Sequence, residues 1–236
     1  MKIRRLPELD LARIAPQRND QQRKQLEQMR FGRPPFSYAP LRACFHDIFN
    51  VQPELFSPVA PTDWSQIEAT LRRKSKSSDE FKANLAVAKG LHQFALTADM
   101  RGRQQDFYQL AMSMGQKVSY WLPMVLAHEG QPIVPFIDPR RSRGLTKEGR
   151  RFAFSMMHER IRAADPDFEQ VRLAIIQFGH IDEDQRPAKV HTDEGVRLLA
   201  LEELEQMVAT TYRLWTEVLE ERADEARRSG TTGSLL

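Results

Sequence analysis

The residues best suited to chemistry in this 236-residue chain gather around position 138. Asp138 closes the apolar run 133–137 and is followed at once by Pro139, Arg140, Arg141 and Arg143. A carboxylate at the mouth of a buried strand, with arginines beside it, can hold a metal ion or meet a phosphate. Arg140, Arg141, Arg143, Lys147, Arg150 and Arg151 all fall within 140–151, opposed there by Glu148. They span a loop and the first turns of a predicted helix, whose free N–H groups also favour anions, so the segment can follow a phosphate backbone. Arg72, Arg73, Lys74 and Lys76 form a second, weaker run. The competing reading of both runs is solvated surface charge, and neither carries the interleaved aromatics of a single-strand binder.

Other reactive residue types are poorly arranged. His158-Glu159 lacks a second histidine four residues on, where Arg162 stands, and so reads as a surface pair rather than half a zinc motif. His128-Glu129 belongs to a turn. His180 and His191 flank the acidic stretch IDEDQ, which reads as a loop able at most to attract a cation. Cys44, between Ala43 and Phe45, is the single cysteine, so no internal disulfide forms and it reads as a small core hydrophobe. The chain contains no Gly-rich phosphate loop, Gly-x-Ser-x-Gly or Cys-x-x-Cys, which leaves nucleotide hydrolysis, serine hydrolysis and thiol redox chemistry unsupported.

Composition fits a cytoplasmic globular protein: 41% hydrophobic and 28% charged residues suffice for a core and a soluble surface. A net charge of +3 is small, so any attraction to polyanions must come from clustering. MKIRRLPELDLARIAP has no apolar signal region, and no apolar run approaches the roughly 18 residues of a spanning helix, so membrane partners are not expected.

The elements that position these residues follow from periodicity. Residues 1–63 read as an N-terminal arm and Pro-rich connector, and 64–236 as an α/β core domain with a C-terminal helix. NDQQRKQLEQMR forms an exposed helix with few apolar positions, Leu41, Phe45, Ile48 and Phe49 share one short helical face, and Pro53, Pro58 and Pro61 make the connector. Asp63 is placed to cap a helix, and Ser77 with Glu80 forms a capping box before Phe81, Leu85, Ala88, Leu91 and Ala95 at steps of three and four. After a loop at 101–103, alternation at Val118, Tyr120 and Leu122 and the apolar runs 125–127 and 133–137 predict strands, the last two joined by a hairpin turn. Thr146 caps a helix with the stripe Phe154, Met157, Ile161 and Ala164, the run 171–178 is a further buried strand, and Leu201, Leu204, Val208, Thr211 and Val218 mark a long final helix.

Residues 78–178 thus read as helix, strands, helix, strand. This order resembles the core of the PD-(D/E)xK restriction-endonuclease-like superfamily, with Leu122-Pro123-Met124 in the place of its first motif and Asp138-Pro139-Arg140 in the place of its second. The resemblance implies a metal-dependent nuclease ancestry, with Asp138 as the ligand of a magnesium ion and Glu80 as its catalytic companion if activity survives. Met124 supplies no charge where the family has a carboxylate, and a guanidinium such as Arg140 clamps phosphate but accepts no proton. Binding rather than cleavage is therefore expected, unless Glu80, Glu129 or Asp106 completes a site beside Asp138.

The sequence thus predicts a small mixed sheet with a hairpin and a crossover helix, flanked by helices, of the α/β or α+β class. The expected function is nucleic-acid binding by a degenerate nuclease-like core within a prokaryotic DNA-processing, mobile-element or defence assembly, with DNA or RNA backbone as partner. The alternatives are a protein-interaction subunit docking through its N-terminal arm or C-terminal helix, and a magnesium-dependent nuclease.

Overall fold

A computed structural model describes residues 4–29, 37–52, 60–179 and 186–228. The chain runs through α1 (Glu8–Ile14), α2 (Asn19–Gln28), α3 (Ala39–Arg42), α4 (Phe45–Ile48), β1 (Val51–Gln52), α5 (Trp64–Lys74), α6 (Ser78–Thr97), β2 (Arg101–Gln104), β3 (Leu110–Met112) and β4 (Gln116–Val118). It continues through β5 (Met124–His128), β6 (Gln131–Ile137), α7 (Lys147–Met157), β7 (Arg172–Phe178), β8 (Ala188–Thr192) and α8 (Leu201–Arg228).

Six strands form one mixed sheet in the order β1-β2-β5-β6-β7-β8. Strands β2, β5 and β6 make an antiparallel meander, α7 carries the chain across so that β7 lies parallel to β6, β1 joins β2 in parallel and β8 closes the other edge antiparallel. Strands β3 and β4 pair as a separate ribbon inserted between β2 and β5. The expected arrangement of three strands of one sheet within 118–178, with the helix after Thr146 crossing between them, is met by β5, β6, α7 and β7.

Both faces of the sheet are covered, because successive side chains of a strand point to opposite sides. Val134, Leu173 and Ile175 pack with α1, α2, α7 and α8, while Ile133, Ile137, Ala174 and Ile176 pack with the helices from α3 to α6. Burial on two sides explains why 133–137 and 173–176 are continuous apolar runs rather than alternating ones. Sequence-predicted caps form: Ser77 Oγ accepts from the Glu80 N–H, and Thr146 Oγ1 from the Gly149 N–H, each at 3.1 Å. Asp63 sits at the N-cap of α5 without a side-chain cap bond. The hairpin turn places Glu129 and Gly130 at φ of 51° and 72°, the left-handed pair that a tight two-residue hairpin needs.

Four features differ from the sequence expectation. The predicted loop at 101–103 is strand β2, whose inward position is held by Gly102; a Cβ there would approach Leu126 Cδ2 to 2.8 Å and Val51 Cγ2 to 2.9 Å, so glycine hides the alternating pattern. Val118 ends the ribbon strand β4, whereas Tyr120 and Leu122 lie outside any strand, Tyr120 buried with its hydroxyl donating to the Glu8 carbonyl at 2.7 Å. Helix α7 gives way to a π-helical turn at His158–Arg162 rather than running on in α geometry.

The fourth difference is the N-terminal region, which packs within the chain. Leu6, Leu11, Ile14 and Leu26 are buried in the same core as α7 and α8. Helix α2 looked too polar to bury because its inward contact is made partly by Gln22, whose amide donates to the carbonyls of Ala15 and Gln17 while its oxygen accepts from Thr211 Oγ1 on α8 at 2.9 Å. Arg23 pairs with Glu217 and Glu221, and Arg222 donates to the Glu27 carbonyl at 2.6 Å. Polar side chains hold this contact, so a hydrophobic count misses it.

Candidate interaction site

Asp138 lies one residue beyond β6 and is 1% exposed. Its Oδ2 accepts from the Leu145 N–H at 2.7 Å and from Gln177 Nε2 at 2.8 Å, and its Oδ1 from the Arg140 N–H at 3.3 Å. The carboxylate therefore gathers the loop 139–145 back onto the end of β6. Gly144 stands against it, where a Cβ would come within 3.0 Å of Oδ2. Arg186, also buried, holds the same loop from the other side, donating to the carbonyls of Pro139 at 2.8 Å and Arg140 at 3.2 Å.

Glu80 is separate from this group in its contacts. Its Oε1 accepts from the backbone N–H and hydroxyl of Ser37, and its Oε2 from the Lys76 N–H at 2.6 Å. These bonds, first the one from Lys76 and then those from Ser37, hold the Glu80 carboxyl below the usual carboxylate range. Asn84, one turn along α6, adds bonds to the Leu41 N–H and the Ser37 carbonyl, so the two side chains fasten the start of α3 to α6.

A magnesium site would need oxygens free to face a cation. The oxygens of Asp138 and Glu80 face N–H donors instead, with one hydroxyl, and among the described residues no group of three His, Cys, Asp or Glu is arranged to hold an ion. These residues do not fit the metal. Asp106 accepts from Gln104 Nε2 at an exposed position, and Glu129 is part of the β5–β6 turn. Burial, and then nearby Asp47, raise the Cys44 thiol to about 11, in keeping with a core residue. His180 and the stretch IDEDQ lie outside the described residues.

The six basic residues at 140–151 do not form one free track. Arg140 clamps both oxygens of Asp10 on α1, at 2.7 and 3.0 Å. Arg150 bonds the Leu145 carbonyl and Gln177 Oε1, and Arg151 bonds the Arg197 carbonyl at 2.6 Å. Arg141, Arg143 and Lys147 are exposed. The structure adds residues that the sequence reading passed over: Asp10 and Arg13 on α1, Gln177 on β7, and Arg186. Arg140 reaches Asp10 across 130 positions, and no local pattern announces such a partner.

Fold and site together define a mixed α/β protein in which Asp138 and Arg186 fasten a basic loop to the end of β6. The chain belongs to the family of sliding clamp-binding bacterial toxins, SocB, whose family model matches residues 9–225. It is 38% identical over 234 residues, 99% of this chain and 98% of the relative, to the DNA replication inhibitor toxin SocB of Caulobacter vibrioides (strain NA1000 / CB15N). No solved structure matches the chain. Membership corrects the functional expectation drawn from the sequence. The family is described by its binding of a sliding clamp, which is a protein, so nucleic-acid binding by a nuclease-like core, with DNA or RNA backbone as partner, is overturned and the protein-interaction alternative is supported. The bacterial setting stands. Among the described residues, no helix is long and apolar enough to cross a membrane.

Proposed function

We propose that this chain binds a bacterial sliding clamp and thereby inhibits DNA replication. The observation that carries the reading is the near full-length match to a replication inhibitor toxin, which leaves little room for a different overall architecture in either protein. A folded body seated on a clamp denies that surface to other proteins, so inhibition follows from occupancy and needs no covalent chemistry.

The fold supports such a role by presenting a stiff surface. Large hydrophobic side chains exposed among the described residues are Leu96, Tyr108 and Met114, the last beside a groove of 430 Å³ shared with Ala209, Thr210 and Arg213 of α8. Exposed apolar side chains on a rigid frame lower the ordering cost of association. The succession α6, β2, β5, β6, α7, β7 is the order that the restriction-endonuclease-like resemblance implies, and we read it as that core serving as a scaffold.

The test is direct binding of the purified full chain to a purified bacterial sliding clamp by surface plasmon resonance, paired with thymidine incorporation after induction in growing cells. Saturable binding with arrest of incorporation is expected. Absence of clamp binding would overturn the proposal.

A further inference from the structure

We propose that Arg13, Arg140, Arg143 and Lys147 form a docking surface for the acidic side chains of a protein partner. The inference rests on the clamp-binding reading and names the chemistry of one part of that contact.

The arginines are packed together rather than spread through solvent. Asp10 receives the bidentate clamp of Arg140 and lies 3.6 Å from Arg13 Nη2, with both Asp10 and Arg13 side chains only 15% exposed. Arg13 Nε is buried and has no hydrogen-bond partner. Burial, and after it the charges of Arg140 and Arg143, weaken the hold of Arg13 on its proton, against the opposing pull of Asp10. The guanidinium groups of Arg13 and Arg140 thus share Asp10, the charge of Arg143 acts on Arg13, and exposed Lys147 at the start of α7 lies in the same segment. Like charges held this closely repel, and an added anion relieves that repulsion.

The loop that presents them is built for position. Arg143 sits at φ 58°, in the left-handed region that costs a residue with a Cβ, and persists there because its surroundings over-determine the loop. Asp138 fastens the loop at Arg140 and Leu145, and Arg186 fastens Pro139 and Arg140. Solvated surface charge needs no such frame. A carboxylate-bearing surface suits these cations because guanidinium groups bind carboxylates in paired geometry. A protein is favoured over nucleic acid on two grounds. The family is described by a protein partner, and Arg150 and Arg151, which would extend the patch into a backbone track, are engaged with Gln177 and the Arg197 carbonyl.

The experiment measures binding of the full chain to a purified bacterial sliding clamp at about 50 and about 300 mM salt, for the wild type, Arg143→Glu with Lys147→Glu, and Arg143→Gln with Lys147→Gln. Both positions are exposed, and thermal melts identify any variant that fails to fold, in which case the glutamine pair carries the test. The expected result is binding weakened about tenfold or more by charge reversal, less by neutralisation, with a smaller salt dependence in both variants. Equal affinity and equal salt dependence in wild type and variants would overturn the inference while leaving clamp binding intact. A wild type that binds no clamp at either salt would remove both readings. Retention of a short DNA duplex at the higher salt, lost in the charge-reversed variant, would overturn the assignment to a protein.

Discussion

Gln177 donates its side-chain amide to Asp138 Oδ2 at 2.8 Å while its own Oε1 accepts from Arg150 Nη1 at 3.0 Å. A neutral amide on β7 therefore links a buried carboxylate after β6 to a cation on α7. The carboxylate is satisfied by N–H donors from a side chain and from backbone.

Removing either end of this link leaves a buried group without its partner. Gln177→Leu is expected to destabilise the protein by about 1–3 kcal/mol, and Asp138→Ala by more, since the Leu145 and Arg140 N–H groups lose their acceptor as well. Urea unfolding monitored by tryptophan fluorescence checks both, and a change within error for Asp138→Ala would contradict the structural role given to this carboxylate.

Gly90 of α6 packs face to face with the backbone of residue 186. A Cβ at this position would lie 1.9 Å from the Arg186 carbonyl oxygen, so Gly90→Ala must push the chain carrying Arg186 away and with it the bonds to Pro139 and Arg140. The expected cost is about 3 kcal/mol, the upper end for overpacking, despite the gain in helix propensity. Thermal melting of the variant measures it; an unchanged or raised midpoint is the contrary result.

Acid should loosen the attachment of α3 to α6. Because the Glu80 carboxyl is held below its ordinary 4.5, the stability it contributes is complete above that value and is lost as pH falls through the lower folded value. Glu80→Gln is expected to lower stability at neutral pH and to flatten the pH dependence in that acid window. Melting curves across the window for the two proteins decide it: parallel profiles would show that the Ser37 and Lys76 contacts do not carry the effect.

The N-terminal helices should behave as part of the core. Leu26 is fully buried against α8, so Leu26→Ala is expected to cost about 2–5 kcal/mol. Deletion of residues 1–28 should expose Tyr212 and Trp215 and yield aggregated protein. A soluble, cooperatively melting truncation would show that the segment is a detachable arm after all.

Local periodicity and capping chemistry made much of the secondary structure legible. The capping box at Ser77 and Glu80, the Thr146 cap, the hairpin turn at Glu129-Gly130 and the apolar runs of β6 and β7 depend on neighbours within a few positions. Strand β2 escaped because Gly102 supplies no side chain to its inward face, and α2 because Gln22 and Arg23 make its contacts through hydrogen bonds. Asp138 stands out in the sequence by its place at a strand end, but its partners, and with them its fastening of the 139–145 loop, could not be read there.

The sequence by itself determined where several of the helices and strands begin, that a basic segment follows a buried strand, and that one carboxylate stands between them. Tertiary structure decided what those charges face: it brought Asp10 and Arg13 from the first helix against Arg140, set Gln177 beside Asp138, and engaged Arg150 and Arg151 inside the fold. The physical reason is range. Capping and periodicity act over one or two turns of chain, whereas the partner of a buried charge is selected by packing between segments that lie 39 positions apart for Asp138 and Gln177 and 130 for Asp10 and Arg140.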